Sequence, residues 1–133
     1  MRRSIRTTGR ILLAILFLGS GATKLIDPAG TQAYMAAFGL PMTQFLFAGA
    51  VATELGGGLA LLLGWRPRLV ALGLAGFLLT ATLIFHTNFA KQQQLLHFLK
   101  NIAIMGGLLL VVAQGAWAGE SADASEPLAA RAG

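Results

Sequence analysis

From residue 28 to 53, and again from 69 to 90, the chain carries no Asp, Glu, Lys or Arg. Runs of that length, rich in Leu and Ala, constrain the fold more than any other feature. A helix that crosses a bilayer needs about 17–25 mostly apolar residues, and its backbone polar groups must be satisfied within the segment. The rest of the composition agrees. Of 133 residues only 11% are charged and 56% are hydrophobic, where soluble domains carry roughly 25% charged residues. Four spans fit, at 9–26, 42–63, 67–85 and 96–114. These runs are continuously apolar and lack the two-residue alternation of a transmembrane β-barrel. The fold class expected is therefore all-α integral membrane, an antiparallel up-down four-helix transmembrane bundle over residues 1–115. Residues 116–133, rich in Gly, Ala, Ser and acids, are expected to be a disordered cytoplasmic tail.

The formal net charge of +5 is distributed as a topology signal. Arg2, Arg3, Arg6 and Arg10 precede the first span, and Arg66 and Arg68 fill the turn between the second and third. Those ends share one side, and positively charged short loops stay in the cytoplasm. The expected topology is multi-pass, with both termini cytoplasmic. The bilayer itself is the first partner, and a nucleic-acid partner is not expected. The Arg-rich start followed by an apolar run and Ser20-Gly21-Ala22 also has the layout of a secretory signal peptide. The apolar stretch continues to Ile26, however, which favours a retained first span.

The connections are short, so sequence neighbours are antiparallel. Pro28 ends the first helix at Asp27. A short interfacial helix is expected over 31–38, carrying Tyr34, Met35 and Phe38. Gly39-Leu40-Pro41 reads as a stop followed by a proline-started helix, and Gly64-Trp65-Arg66-Pro67-Arg68 as a tight interfacial turn.

Glu54 then stands out, because it lies near the middle of the second span. A charge at that depth costs roughly 2.5–3.5 kcal/mol on insertion scales, so the side chain needs a partner or has a task. Two small-residue lines flank it. Ala52, Gly56 and Ala60 recur every four residues and suit close helix packing. Ala50, Glu54 and Gly58 do the same and leave little bulk above and below the carboxyl. That arrangement admits either a neighbouring backbone or a small cavity. Structurally, Glu54 would be protonated or paired and fix helix register; functionally, it would carry protons or bind a ligand.

Candidate partners come from the other spans. His97, Lys100 and Asn101 share one face of the last helix, at i, i+3 and i+4. His86 ends the third helix at the same membrane side, one turn after Thr82, and Lys24 ends the first, one turn after Ser20. The ligand- or proton-binding candidates are therefore Glu54, Lys24, His86, His97, Lys100 and Asn101; no catalytic residue is assigned. Taken singly, each cation can simply reach for lipid head groups.

Several chemistries are set aside. The chain has no cysteine, so thiolate catalysis, iron–sulfur ligation and covalent haem attachment are excluded. His86 and His97 could clamp a b-type haem, but two helix-end histidines are a weak basis for it. No carboxylate lies near enough in sequence to complete a metal site, and none is expected. Gly56-Gly57-Gly58 lies inside a span, where it suits packing and not phosphate binding.

Gly9-Arg10, Ser20-Gly21 with Lys24-Leu25, Gly39-Leu40-Pro41, Glu54-Leu55-Gly56-Gly57-Gly58, Gly64-Trp65-Arg66-Pro67-Arg68, the 82–86 stretch and Phe98-Leu99-Lys100-Asn101 together resemble the DoxX family of small bacterial inner-membrane proteins. The resemblance runs from about residue 9 to 115, and Glu54, Lys100 and Asn101 fall on polar positions of that family. It implies a four-helix membrane protein, associated in some relatives with thiosulfate:quinone oxidoreductases or redox-stress complexes. On that basis the chain is expected to be the quinone-interacting membrane subunit of an oxidoreductase, with quinone as the ligand and a soluble or membrane redox partner. The alternative is a non-catalytic scaffold or a carrier of a small solute or lipid.

Overall fold

The computed structural model describes residues 1–124, with side chains through Gln114. Five helices form: α1 (Arg2–Ile26), α2 (Pro28–Ala37), α3 (Thr43–Leu63), α4 (Pro67–Phe85) and α5 (Gln92–Ala124). All but α2 are long and apolar enough to cross a membrane, with the apolar part of α5 spanning Gln92–Gln114. Their outward faces carry bare leucines, Leu63 at 73% exposure and Leu83 at 57% among them. Lipid is the natural solvent for such faces.

Specific contacts fix the directions. Leu18 meets Gly58 and Arg10 meets Gly64, so α1 and α3 run antiparallel. Thr82 bonds Asn101 and Arg68 bonds Val112, so α4 and α5 do too. The helices close a ring in the order α1, α3, α4, α5, which leaves α1 and α4 diagonally opposed. This is the expected four-helix bundle.

Three boundaries differ from the sequence reading. α1 begins at Arg2, seven residues before the expected start, because the arginine-bearing turns continue the same helix. α2 starts at Pro28, where proline's fixed φ suits the first helical position and the Asp27 side chain accepts a hydrogen bond from the Gly30 amide at 2.9 Å. α5 begins at Gln92 and continues to Ala124, so the segment expected to be a disordered tail starts as helix. Residues 125–133 of that expected tail lie outside the described residues.

Packing is uneven along the bundle axis. Ala14, Phe17, Leu61, Ala71, Leu74 and Leu108 form a buried core in the half nearer the arginine-rich end. On α3 the interior face is the line Ala50, Glu54, Gly58 and Leu61. Gly58 approaches the backbone of Leu18: a Cβ there would stand 3.1 Å from the Leu18 nitrogen. Gly57 receives the side chain of Leu74. The stripe Ala52, Gly56, Ala60, expected to mediate close packing, does not: Ala52 and Gly56 are exposed, and a Cβ at Gly56 would meet nothing within 4 Å. Two lines share the four-residue spacing, and the sequence does not say which one turns inward.

Candidate functional site: an ion pair on the wall of a membrane cavity

In the other half of the bundle the core gives way to a cavity of about 860 Å³. Its size falls within the roughly 300–1,000 Å³ of small-molecule sites. The turn from α4 to α5 and the short helix α2 lie at this end. Tyr34 of α2 stacks on Phe85 of α4, with ring centroids 5.4 Å apart, and Phe38 packs edge-on against Phe85 at 5.0 Å. Tyr34 and Phe85 both line the cavity and tie α2 across it. Most of the wall is apolar.

Glu54 lies on that wall and is only 5% exposed. Its partner is Lys24, one helix over. Lys24 Nζ donates to Oε1 at 3.0 Å and stands 2.9 Å from Oε2. Ser20, one turn before Lys24 on α1, completes the group: its hydroxyl donates to Glu54 Oε1 at 3.0 Å and accepts from Lys24 Nζ at 3.1 Å. Close passage of α1 along α3 is what makes this reach possible, and Gly21 and Gly58 permit that passage. The carboxylate's two oxygens are unequal. Oε2 has the ion contact but no directed hydrogen bond, although it is buried. Buried carboxylate oxygens normally accept hydrogen bonds, so Oε2 keeps acceptor capacity to spare.

The second polar group sits where α4 passes into α5. The rings of His86 and His97 stack with centroids 5.1 Å apart and planes 24° from parallel. His86 Nδ1 is 2.9 Å from Gln94 Oε1, and His97 Nδ1 is 3.4 Å from Lys100 Nζ. Face-to-face stacking is not how two imidazoles ligate one iron between them, since each must aim a nitrogen at the metal. The haem clamp weighed from the sequence does not fit this geometry. Among the described residues no group of His, Cys, Asp or Glu is placed to hold a metal ion.

All six candidates named from the sequence line this one cavity, but they do not form one network. Glu54 is bonded to Lys24 and not to Lys100 or Asn101. Asn101, 8% exposed, donates through Nδ2 to Thr82 Oγ1 at 3.0 Å, and Thr82 in turn donates to the Leu78 carbonyl at 2.6 Å. That chain ties α5 to α4. Ser20 and Gln94 were missed as site residues. Ser20 carried a signal, the four-residue spacing to Lys24 on one helix face; Gln94 carried none, because its role depends on the α4–α5 turn.

Four apolar spanning helices around a mostly apolar cavity with a few polar groups on its wall define a multi-pass helical membrane protein. The comparisons narrow this to a family. The DoxX family model matches residues 5–87, and the chain belongs to that family. It is 45% identical over 106 residues to inner membrane protein YqjF of Escherichia coli strain K12, covering 80% of each chain. It is 30% identical over 111 residues to inner membrane protein YphA of the same organism, covering 80% of this chain and 79% of that one. No solved structure matches. The protein is thus an inner-membrane protein of the DoxX family. The family model ends at residue 87, one past His86, so the α5 side of the cavity with His97, Lys100 and Asn101 lies beyond it; the sequence resemblance had been expected to run on to about residue 115.

Proposed function

We propose that the protein is the quinone-binding membrane subunit of an oxidoreductase, with the Glu54 cavity as its site. The observation that carries this reading is a buried carboxylate, ion-paired to Lys24 yet holding an acceptor position open, on the wall of a cavity that is otherwise mostly apolar. An amphipathic ring compound that cycles between quinone and quinol matches that combination, because a quinol O–H can donate to the open Oε2 position. Its ring and tail take the apolar wall, and its oxygens take N–H donors such as Lys24, Lys100 and His97.

Reduction of a quinone consumes two electrons and two protons. The chain's own residues would supply the protons: Lys100 and His97 are 3.4 Å apart and can pass one between them, and Glu54 can accept and release one. Side chains carry protons far more readily than electrons. With no cysteine in the chain, the electrons must come from a second, cofactor- or thiol-bearing subunit. Both termini are proposed to be cytoplasmic, on the strength of the arginine-rich end. Reporter fusions at Gly30, Pro67, Gln93 and the C-terminus check this; a periplasmic signal at Pro67 or the C-terminus contradicts it.

The test of the function is chemical. Protein extracted from its native membrane with the surrounding lipid should yield isoprenoid quinone in its organic extract, at a level that falls in Glu54→Gln while the protein stays folded. It should reduce quinone only with a partner subunit present. Extracts holding lipid but no quinone would favour the second reading, a lipid or small-solute carrier. The Ser20–Lys24–Glu54 network by itself suits a non-catalytic scaffold, since it holds register whether or not anything is carried.

A further inference from the structure

The end of the bundle opposite the Glu54 cavity carries a second concavity, of about 630 Å³, and its polar wall is built from arginines. Arg3, Arg6 and Arg10 follow one another at i, i+3 and i+7, so α1 turns all three toward it, while the adjacent Arg2 does not line it. Arg66 and Arg68 reach it from the start of α4, the helix diagonally opposite. The turn that delivers them is unusual. Gly64 and Arg66 both adopt left-handed backbone angles, with φ of 75° and 39°, which reverses the chain within three residues and swings Arg66 and Arg68 over the bundle end. Two of the five are anchored: Arg68 Nε donates to the Val112 carbonyl at 3.1 Å, and the Arg10 guanidinium packs over Gly64, whose φ of 75° strains any side chain placed there. Leu69 and Val111 supply an apolar flank.

Among the described residues, no carboxylate lines this cleft, and the only ion pair joins Lys24 to Glu54 at the far end. The two ends also differ in the kind of cation. Every described arginine is at this end, and every lysine of the chain is at the other. A topology signal needs only positive charge, which lysine supplies equally well. Arginine's planar fork adds bidentate recognition of phosphate oxygens, which a lysine cannot make. Five guanidinium groups held around one concavity repel each other unless an anion lies between them.

We propose that this cleft binds the phosphate groups of an anionic phospholipid, and that the five-arginine wall suits a head group with two phosphates. Lipid chains would pass along Leu69, which is exposed, into the bilayer, as in basic pockets between transmembrane helices that hold such head groups. The proposal is independent of the quinone reading, since it involves none of the residues of the Glu54 cavity.

The test is displacement of a fluorescent cardiolipin bound to the full-length protein in neutral detergent. Unlabelled cardiolipin should displace it, phosphatidylcholine should not, and sodium pyrophosphate should compete only weakly. Arg10→Gln/Arg68→Gln should weaken binding by about tenfold or more, and Arg10→Lys/Arg68→Lys should lose part of that despite unchanged charge. Arg2→Gln, which removes one charge from the same end but not from the cleft, should bind as the unaltered protein does. Circular dichroism and elution volume identify any variant that fails to fold, and the charge-preserving Lys pair keeps the question open to test if the Gln pair does fail. Equal displacement by phosphatidylcholine overturns the proposal. So does an equal loss in Arg2→Gln, which would make the effect one of net charge. Pyrophosphate competing better than lipid reassigns the cleft to a soluble anion. Binding that emerges only in Glu120→Gln/Asp123→Asn would mean that the chain's own acidic segment fills the cleft.

Discussion

The two halves of this bundle solve the problem of burial in opposite ways. Toward the arginine-rich end, Phe17, Leu61, Leu74 and Leu108 interdigitate with glycines and alanines, and the interior is closed. Toward the other end the same four helices enclose about 860 Å³, and their polar side chains face it. Packing holds the first half together. In the second, association depends on polar ties between helices: Lys24 to Glu54 joins α1 to α3, and Asn101 to Thr82 joins α4 to α5. Lipid tails are as apolar as leucine, so hydrophobicity alone gives helices little reason to associate. A cavity can be kept in a small membrane bundle when directed bonds replace packing around it.

The largest effect should come from breaking the ionic tie on the side that strands the buried charge. Lys24→Met leaves Glu54 at 5% exposure without its cation and should destabilise the protein by about 3–5 kcal/mol, measured by unfolding in mixed denaturing micelles. Glu54→Gln should cost less, about 1–2 kcal/mol, because Lys24 is 23% exposed and can turn toward head groups. Equal costs for the two would indicate that Glu54 is uncharged and the pair is not ionic.

A smaller effect separates the closed half from the open one. Gly58→Ala places a methyl 2.9 Å from Leu18 Cγ and 3.1 Å from its backbone nitrogen, which should cost about 1–3 kcal/mol. Gly56→Ala meets nothing within 4 Å and should gain about 0.5–1 kcal/mol from helix propensity. The same unfolding assay reads both; reversed signs would mean that the other small-residue stripe is the packed one. Smallest is the α4–α5 tie. Thr82→Val removes the acceptor of the Asn101 bond and should cost about 0.5–1 kcal/mol, the usual worth of hydrogen bonds between transmembrane helices.

Most of the architecture was legible in the sequence because hydropathy acts locally. The charge-free run 69–90 carries α4, the run 28–53 is divided between α2 and the first half of α3, and Pro28, Gly64 and Pro67 mark ends. Glu54 was equally visible, since its depth in a span is a one-dimensional property. What could not be read was azimuth and reach. Ala50–Glu54–Gly58 and Ala52–Gly56–Ala60 have the same spacing, and only the approach of Leu18 on α1 decides between them. Lys24, Lys100 and Asn101 were equivalent as donors to Glu54; α1 passes close enough to supply one, while α5 lies diagonally across from α3. The stacking of His86 on His97 depends on a turn whose geometry no periodicity encodes.

The account stands most directly on one titration. A short-chain quinone added to the purified protein should bind saturably, followed by calorimetry. Glu54→Gln should weaken binding by about tenfold, because it removes the anion that holds Lys24 Nζ in place as a donor to a quinone carbonyl. Gly49→Leu should weaken it as well, because Gly49 lines the cavity and a Cβ there meets nothing within 4 Å. Saturable binding weakened in both variants, with each still folded, is the expected result. Absence of saturable binding, or affinity unchanged in Glu54→Gln and Gly49→Leu alike, would contradict the claim that this cavity is a quinone site.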